Sequence, residues 1–204
     1  CSSDLNKTSN RIEAEITLAQ LESVFVVFSN KAVFASDKTS HTTKITIDRE
    51  PWKVYFAPSA GKPSFTKSYT KLEDWTLAKD DDIKYFSGNA TYSNSFILQK
   101  QPGKDAHVKL NIGEVMVLAT VKINGHDAGG VWTHPYSLDI TPYVRQGENR
   151  IEITVYNNWR NRLIADEKLP ASERLTWTNI QPWSKTDELQ HSGLFKPVSI
   201  EIDE

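Results

Sequence analysis

The 204-residue sequence contains one cysteine, one methionine and no long apolar run. A single thiol excludes a disulfide framework and a cysteine-based zinc site, because either needs several cysteines. The longest apolar segments, at 23–28 and 115–121, fall short of the ~18 residues that a membrane-spanning helix needs. The sequence therefore predicts neither a disulfide-stapled domain nor a helical membrane protein.

Charge of one sign is not in excess either. The 24 Lys and Arg residues are balanced by 26 Asp and Glu residues, so we predict no nucleic acid partner, which would need a basic surface. The five histidines are scattered without the spacing of metal ligands. Asp80, Asp81 and Asp82 could hold a structural Ca²⁺ or form a solvated turn. We favour the solvated turn, because consecutive acids rarely converge on one ion. We predict no cofactor.

Apolar side chains make up 38% of the sequence and alternate with polar ones in several segments. Such alternation places apolar residues on one face of a strand. It predicts half-buried strands at 11–18, 43–48, 107–112, 149–156 and 198–203. Runs of β-branched and aromatic residues predict more deeply buried strands at 24–28, 52–56, 92–98 and 117–123.

Turn signals separate these strands. Asn-Gly at 124–125 predicts a hairpin whose second strand runs through 130–132. One short helix is predicted at 141–147, with Thr141 as its cap, a proline at its first position and Asp139 supporting the cap. The segment 157–197 is too long for a plain connection and is expected to fold as a structured loop. The predicted fold is an all-β, antiparallel β-sandwich with one short helix and this long structured loop.

Ordered motifs along the chain resemble two related domains of known enzymes. Four of them resemble the sugar-binding jelly-roll of family 2 glycoside hydrolases: FSGNATY at 86–92, VKING at 121–125, PYSLDIT at 135–141 and GEN at 147–149. The order is closer still to the C-terminal sandwich of bacterial family 106 α-L-rhamnosidases. Further motifs that match that sandwich are ESVFVVF at 22–28, WKVYF at 52–56, LEDW at 72–75, NRLIAD at 161–166 and SGLFKPV at 192–198.

This resemblance implies a galactose-binding-like jelly-roll that, in larger relatives, accompanies a catalytic barrel carrying the catalytic carboxylates. Such a barrel alone takes about 250 residues, more than this chain contains. Lys196 and Ala165 stand where the family pattern has glycine, which leaves the fold untouched but weakens the transfer of individual roles. We expect no catalytic residues in this chain.

Sugar binding needs an aromatic face for the pyranose ring and planar polar groups for its hydroxyls. Two sets of residues offer both, one after the hairpin and one in the long loop. The candidate carbohydrate-binding residues are Trp132, His134, Tyr136, Trp159, Asn161, Arg162, Trp177 and Trp183.

Each of these residues also has a plain structural interpretation. Tryptophans near strand ends, such as Trp52, Trp75 and Trp132, are often core residues, and Arg162 with Asp166 is a possible internal ion pair that pins the loop.

The start of the chain resembles a mature bacterial lipoprotein. Cys1 is followed by small and acidic residues at 2–4 and by polar residues at 6–10, as expected for a lipidated cysteine and its tether; the alternative is a cut from a longer protein. We predict a disordered tether at 1–10, an early strand group at 11–57 packed on the sandwich, and the galactose-binding-like sandwich at 69–204. The expected location is the periplasm or cell surface, with membrane contact only through a lipid on Cys1.

The predicted function is that of a carbohydrate-associated, non-catalytic sandwich of a bacterial rhamnosidase-like glycoside hydrolase system. Its partner would be a plant or microbial glycan, or a catalytic glycoside hydrolase domain. Two alternatives remain: a structural module that only docks on a catalytic domain, and a small self-contained glycosidase, which would need two carboxyl groups converging in one cleft.

Overall fold

The computed structural model describes residues 5–8, 11–14, 16, 18, 23–27 and 42–204. Fourteen strands occur in these parts, numbered β1–β14 in chain order: Leu5–Thr8, Arg11–Ala14, Thr42–Thr46, Trp52–Pro58, Phe65–Tyr69, Gly88–Leu98, His107–Asn111, Val115–Met116, Leu118–Ile123, His126–Val131, Ser137–Asp139, Gly147–Tyr156, Gly193–Leu194 and Ser199–Asp203. Two short α-helices are α1 (Asp81–Lys84) and α2 (Arg160–Asp166). One-turn 3₁₀ helices span Trp75–Leu77, Thr141–Tyr143 and Ala171–Glu173.

Two antiparallel sheets form a sandwich. One has six strands in the order β10-β9-β12-β6-β4-β5, and the other has four in the order β11-β7-β14-β3. Alternate residues of β12, such as Ile151 and Ile153, are fully buried and belong to one core cluster with Val108 and Ile200 of the facing sheet. The predicted all-β antiparallel sandwich is therefore confirmed.

The predicted segments at 11–57 and 69–204 both contribute to this sandwich. Strand β3 lies at the edge of the four-stranded sheet, and β4 lies between β5 and β6 in the larger one. Within the predicted tether, β1 pairs with β2 in a separate two-stranded ladder, so part of that segment is strand. Cys1 lies outside the described residues. In the described part of the chain no helix has the length and apolarity needed to cross a membrane.

The predicted deep strand at 24–28 differs in the structure. Residues 23–27 are in no strand, and the side chains of Phe25 and Val27 are 94% and 81% exposed. Phe28 lies outside the described residues. A β-branched and aromatic run favours a strand only where a neighbouring strand and an apolar surface receive it. The four sheet-edge strands, β10, β5, β11 and β3, do not pair with this segment.

The hairpin after β9 is confirmed, with its second strand starting earlier than predicted. Asn124 and Gly125 have φ values of 52° and 83°, as this turn type requires. Strand β10 pairs with β9 from His126 onward, with a bulge between Asp127 and Gly129.

The helical predictions need two corrections. The predicted helix is a single 3₁₀ turn whose N-cap is Ile140, and Thr141 does not cap it. The Thr141 hydroxyl instead donates to Asp139 Oδ1 over 2.6 Å and accepts from the Val108 amide over 2.8 Å. Asp139 does receive the Thr141 amide, over 2.9 Å, as predicted. Helices α1 and α2 were not predicted, because segments of four and seven residues are too short to show a helical period.

The acidic run at 80–82 starts α1. Asp80 caps the helix by accepting the Asp82 amide over 3.1 Å, and its carboxylate also meets Lys67 over 2.8 Å. Asp82 contacts Lys62. These carboxylates therefore serve the helix start and two exposed ion pairs.

Candidate functional site: a cleft around His191

A surface cleft of about 690 Å³ lies beside the short ladder of β8 and β13. We call it the His191 cleft. Its apolar wall comes from the segment around the first 3₁₀ helix, from β8 and from the residues after β13, and consists of Leu72, Leu77, Val115, Met116 and Phe195. Its polar and aromatic lining consists of Lys71, Glu73, Asp74, Glu114, His134, Tyr136, His191 and Lys196.

A buried carboxylate orients the imidazole that gives the cleft its name. Asp74 is 8% exposed, and its Oδ2 contacts His191 Nδ1. Its Oδ1 accepts the amides of Thr76 over 2.9 Å and Ser192 over 3.1 Å. The His191 side chain is 75% exposed, so Asp74 fixes one ring nitrogen and leaves Nε2 open to the cleft.

Hydrogen bonds hold the two segments that carry Asp74 and His191. The Trp75 amide donates to the Ser192 carbonyl over 3.1 Å. The side chain of Asn161 in α2 also holds this segment: its Nδ2 donates to the Gln190 carbonyl over 2.7 Å, and its Oδ1 accepts the Gln190 backbone amide over 2.8 Å. The residues on both sides of His191 are thus held in place, which limits the movement of its ring.

Asp74 is held in its ionised form. Burial alone raises the pKa of a carboxyl, but the hydrogen bonds from His191, Thr76 and Ser192 outweigh it and lower the pKa of Asp74 below its usual value. Such a carboxyl stabilises the fold above its unfolded pKa, and the stabilisation disappears as pH falls through the folded pKa.

We therefore expect Asp74→Asn to lower the free energy of unfolding at neutral pH by about 1–3 kcal/mol, the cost of losing charge-assisted hydrogen bonds. The difference from the parent should shrink as pH falls below about 4, because the parent loses the same interaction when Asp74 is protonated. Urea denaturation at a series of pH values measures both. A difference that stays constant down to about pH 2 would contradict this role of Asp74.

Two further pairs complete the lining. Glu114 and Lys196 form an ion pair over 2.8 Å. The rings of His134 and Tyr136 lie 4.2 Å apart between centroids. The cleft thus combines aromatic and aliphatic surface with fixed hydrogen-bonding groups, which is the composition of a small-molecule site.

The predicted residues after the hairpin divide between two places. His134 and Tyr136 line the His191 cleft. Trp132 is 75% exposed and is not part of the lining, so it is not a core residue, unlike Trp52 and Trp75, which are 3% and 2% exposed.

The predicted loop residues lie outside the cleft lining. Asn161 is 2% exposed, and its amide is engaged by Gln190. Arg162 Nε lies 3.3 Å from Asp166 Oδ1, which confirms the internal ion pair; neither atom has a hydrogen-bond partner, so the contact is electrostatic. Three tryptophans remain accessible in part: Trp159 is 43% exposed, Trp177 is 81% exposed, and Trp183 lies under the Arg160 guanidinium at 4.4 Å.

Sequence reasoning missed Asp74, His191, Glu114 and Lys196 as members of one site. Asp74 and His191 are 117 positions apart in the chain. Two of the quoted motifs, at 72–75 and 192–198, contain or adjoin them. Motif order alone did not show that these segments meet.

The structure shows no candidate metal site in the parts of the chain that it describes. Among those residues, no group of three or more His, Cys, Asp or Glu side chains could hold an ion.

Residues 67–191 match the sequence profile of the galactose-binding-like domain of family 2 glycosyl hydrolases. The chain belongs to this family. A protein from Formosa agariphila, named as a candidate β-glucuronidase, is 32% identical over 230 aligned positions, covering 97% of this chain and 20% of that protein. The domain therefore spans about a fifth of this relative.

Solved structures show the same fold. The rhamnosidase from Novosphingobium sp. PP1Y is 37% identical, with a TM-score of 0.73 over 84% of this chain and 16% of that one. A β-glucuronidase from Ruminococcus gnavus has a TM-score of 0.56 at 18% identity, over 83% of this chain and 29% of that one, which supports the fold alone. The resemblance to both groups of glycoside hydrolases is thereby confirmed.

Proposed function

We propose that this galactose-binding-like domain is a non-catalytic accessory part of a larger glycoside hydrolase system, and that the His191 cleft receives one sugar residue of a glycan. The observation that carries the proposal is the joint placement of an aromatic pair, His134 and Tyr136, and an imidazole oriented by a buried carboxylate, all in one cleft. Membership of a family found in glycoside hydrolases supports the same conclusion.

The cleft matches the two surfaces of a sugar. A pyranose has an apolar C–H face, which Tyr136 and Leu77 can cover. Its hydroxyls need donors and acceptors at the edge, and His191 and the Glu114–Lys196 pair supply them. A single subsite open on one side should bind weakly, because few contacts must overcome the cost of association.

Two of the three carboxylates that line the cleft, those of Asp74 and Glu114, are engaged in ways that do not favour hydrolysis. A glycosidase acid is commonly a buried carboxyl with a raised pKa that donates a proton. Asp74 is the buried carboxyl of this cleft, yet its pKa is lowered and both its oxygens already accept hydrogen bonds. Glu114 is held by Lys196. This arrangement supports a binding role over that of a self-contained glycosidase.

NMR titration with rhamnose- and galactose-containing oligosaccharides tests the proposal. We expect the shifts at millimolar ligand to centre on the His191 cleft and Tyr136→Ala to weaken binding about tenfold, the scale of one lost aromatic contact. Aryl glycosides assayed with the same protein should remain uncleaved.

Trp177→Ala is the matched control, since Trp177 is an exposed aromatic outside the cleft. Binding lost in Trp177→Ala or Trp159→Ala but kept in Tyr136→Ala would place the site on the long loop instead. Turnover of any aryl glycoside that Asp74→Asn abolishes would overturn the non-catalytic assignment.

Docking on a catalytic domain is the second candidate role, favoured by one observation. Val24, Phe25, Val26 and Val27 form a consecutive apolar run in which every side chain is at least 48% exposed. Exposed contiguous apolar surface often marks a protein contact. Absence of any sugar binding at millimolar ligand would favour this role.

Lipidation of Cys1 and a periplasmic or cell-surface location remain predictions. Mass spectrometry of protein from the native host tests them, and an unmodified cysteine at this position would contradict them.

A further inference from the structure

The charged groups that face the His191 cleft are unevenly committed. Two acids already have partners: Asp74 accepts hydrogen bonds from His191 and two backbone amides, and Glu114 is paired with Lys196. Three other charged or titratable residues of the lining, Lys71, His134 and Glu73, form no ion pair with a described residue. Glu73 is the acid among them. Tyr136 is the other titratable side chain of the lining.

The contact with Asp74 also fixes the protonation pattern of His191. An ionised carboxylate can only accept, so Nδ1 carries a hydrogen that it donates to Asp74. In the neutral imidazole Nε2 is then an acceptor. When the ring takes up a second proton, Nε2–H becomes a donor that points away from Asp74, with a buried negative charge behind it.

We propose that the sugar held in the His191 cleft carries an anionic group, a carboxylate or a sulfate, that accepts a hydrogen bond from Nε2–H of the His191 imidazolium. The inference rests on the proposed function of the same cleft. Asp74 acts here as a positioning residue, because it fixes the ring and its tautomer without touching the ligand. Lys71 and Glu73 also line the cleft, and their opposite charges offset each other.

Several features of the site support an anion over a neutral sugar. A neutral hydroxyl can bind either form of Nε2, whereas an anion can bind only the donor form, which Asp74 backs with a negative charge. A charge-assisted hydrogen bond is roughly twice as strong as a neutral one. Glu73, the uncommitted acid, is exposed, and so is Lys71, so solvent screens both charges and neither decides the preference.

The test compares sugars that differ only in charge. Methyl β-D-glucuronide and its methyl ester, which is neutral, are titrated into the protein at about pH 5.5 and about pH 8, on either side of the usual titration range of histidine. We expect the acid to bind about tenfold more tightly than the ester at the lower pH and to lose most of this advantage at the higher pH. Methyl glucoside 6-sulfate distinguishes sulfate from carboxylate as the preferred group.

His191→Gln should remove the preference for the acid while leaving weak binding of the ester. His107→Gln is the matched control, because His107 also faces a carboxylate, that of Asp139 at 3.9 Å, and lies outside the cleft. Equal binding of acid and ester, or an acid preference that persists in His191→Gln, would overturn this inference and leave the proposed function intact. No binding of these ligands or of the neutral oligosaccharides would overturn both.

Discussion

Gly193→Ala is expected to lower the free energy of unfolding by about 3–5 kcal/mol, which combines backbone strain with overpacking. Gly193 has a φ of +90°, a conformation that side-chain-bearing residues rarely adopt. A Cβ atom at this position would lie 2.5–2.7 Å from atoms of the Trp75 ring. Trp75 is 2% exposed and packs against Phe56, Phe86 and Tyr92, so the ring has no room to withdraw. Denaturant unfolding of the purified variant measures the loss.

Gly147→Ala separates the two causes. Gly147 has nearly the same backbone conformation, with φ +88°, but a Cβ there would meet no atom within 4 Å. We expect this variant to lose only about 1–2 kcal/mol, the strain alone. Similar losses in the two variants would mean that the contact with Trp75 is not what requires glycine at position 193.

Gly193→Ala should also disturb the His191 cleft. Trp75 follows Asp74 in the chain, and Gly193 lies two positions after His191. A displaced Trp75 ring would strain the bond between the Trp75 amide and the Ser192 carbonyl, which connects the two segments. The close packing of a glycine on a tryptophan thus supports the geometry of the Asp74–His191 pair.

The strands that could be predicted from sequence are those whose two faces meet different surroundings. In β12 one face is buried in the core and the other is solvated, so the sequence alternates and the strand is predictable. The run at 24–27 has the composition of a strand but no sheet partner among the described strands, and composition carries no information about a partner. Helix α2 was not predicted for a different reason: two turns are too few for a helical period to show in the sequence.

The candidate site was only half predictable. His134 and Tyr136, two of the candidate carbohydrate-binding residues, lie side by side in the cleft, because both follow the same hairpin and are close in sequence. Asn161 has the right chemistry for a ligand contact, but its side chain is buried. Its amide nitrogen and oxygen both form hydrogen bonds with the backbone of Gln190. The Asp74–His191 contact depends on how distant segments pack, which local patterns do not encode.

Asp166→Ala is expected to cost about 3–5 kcal/mol, the usual penalty for leaving one charge of a buried pair without its partner. Asp166 is 1% exposed, and the Arg162 side chain is 12% exposed. The second carboxylate oxygen accepts the Thr176 amide over 2.9 Å and its hydroxyl over 2.5 Å. The substitution therefore leaves the buried Nε of Arg162 and two buried donors of Thr176 unpartnered, and it frees the middle of the long loop from α2.

Glu167→Ala provides the matched control one residue further along. Glu167 pairs with Arg174 over 2.5 Å, but both side chains are partly exposed, at 24% and 34%. A solvated pair of this kind contributes about 1 kcal/mol or less. Comparable losses in the two variants would contradict the buried-charge explanation.

A double-mutant cycle identifies the origin of the penalty. If the penalty comes from the unpaired charge, the double variant Arg162→Met/Asp166→Ala should lose less stability than the sum of the two single variants. The reason is that Arg162→Met removes the positive charge that Asp166→Ala leaves unpaired. Additive losses would mean that Asp166 stabilises the loop through Thr176 alone. Because Asn161 lies in the same helix as Arg162 and holds the residue before His191, we expect the single Asp166→Ala variant also to weaken any binding in the His191 cleft.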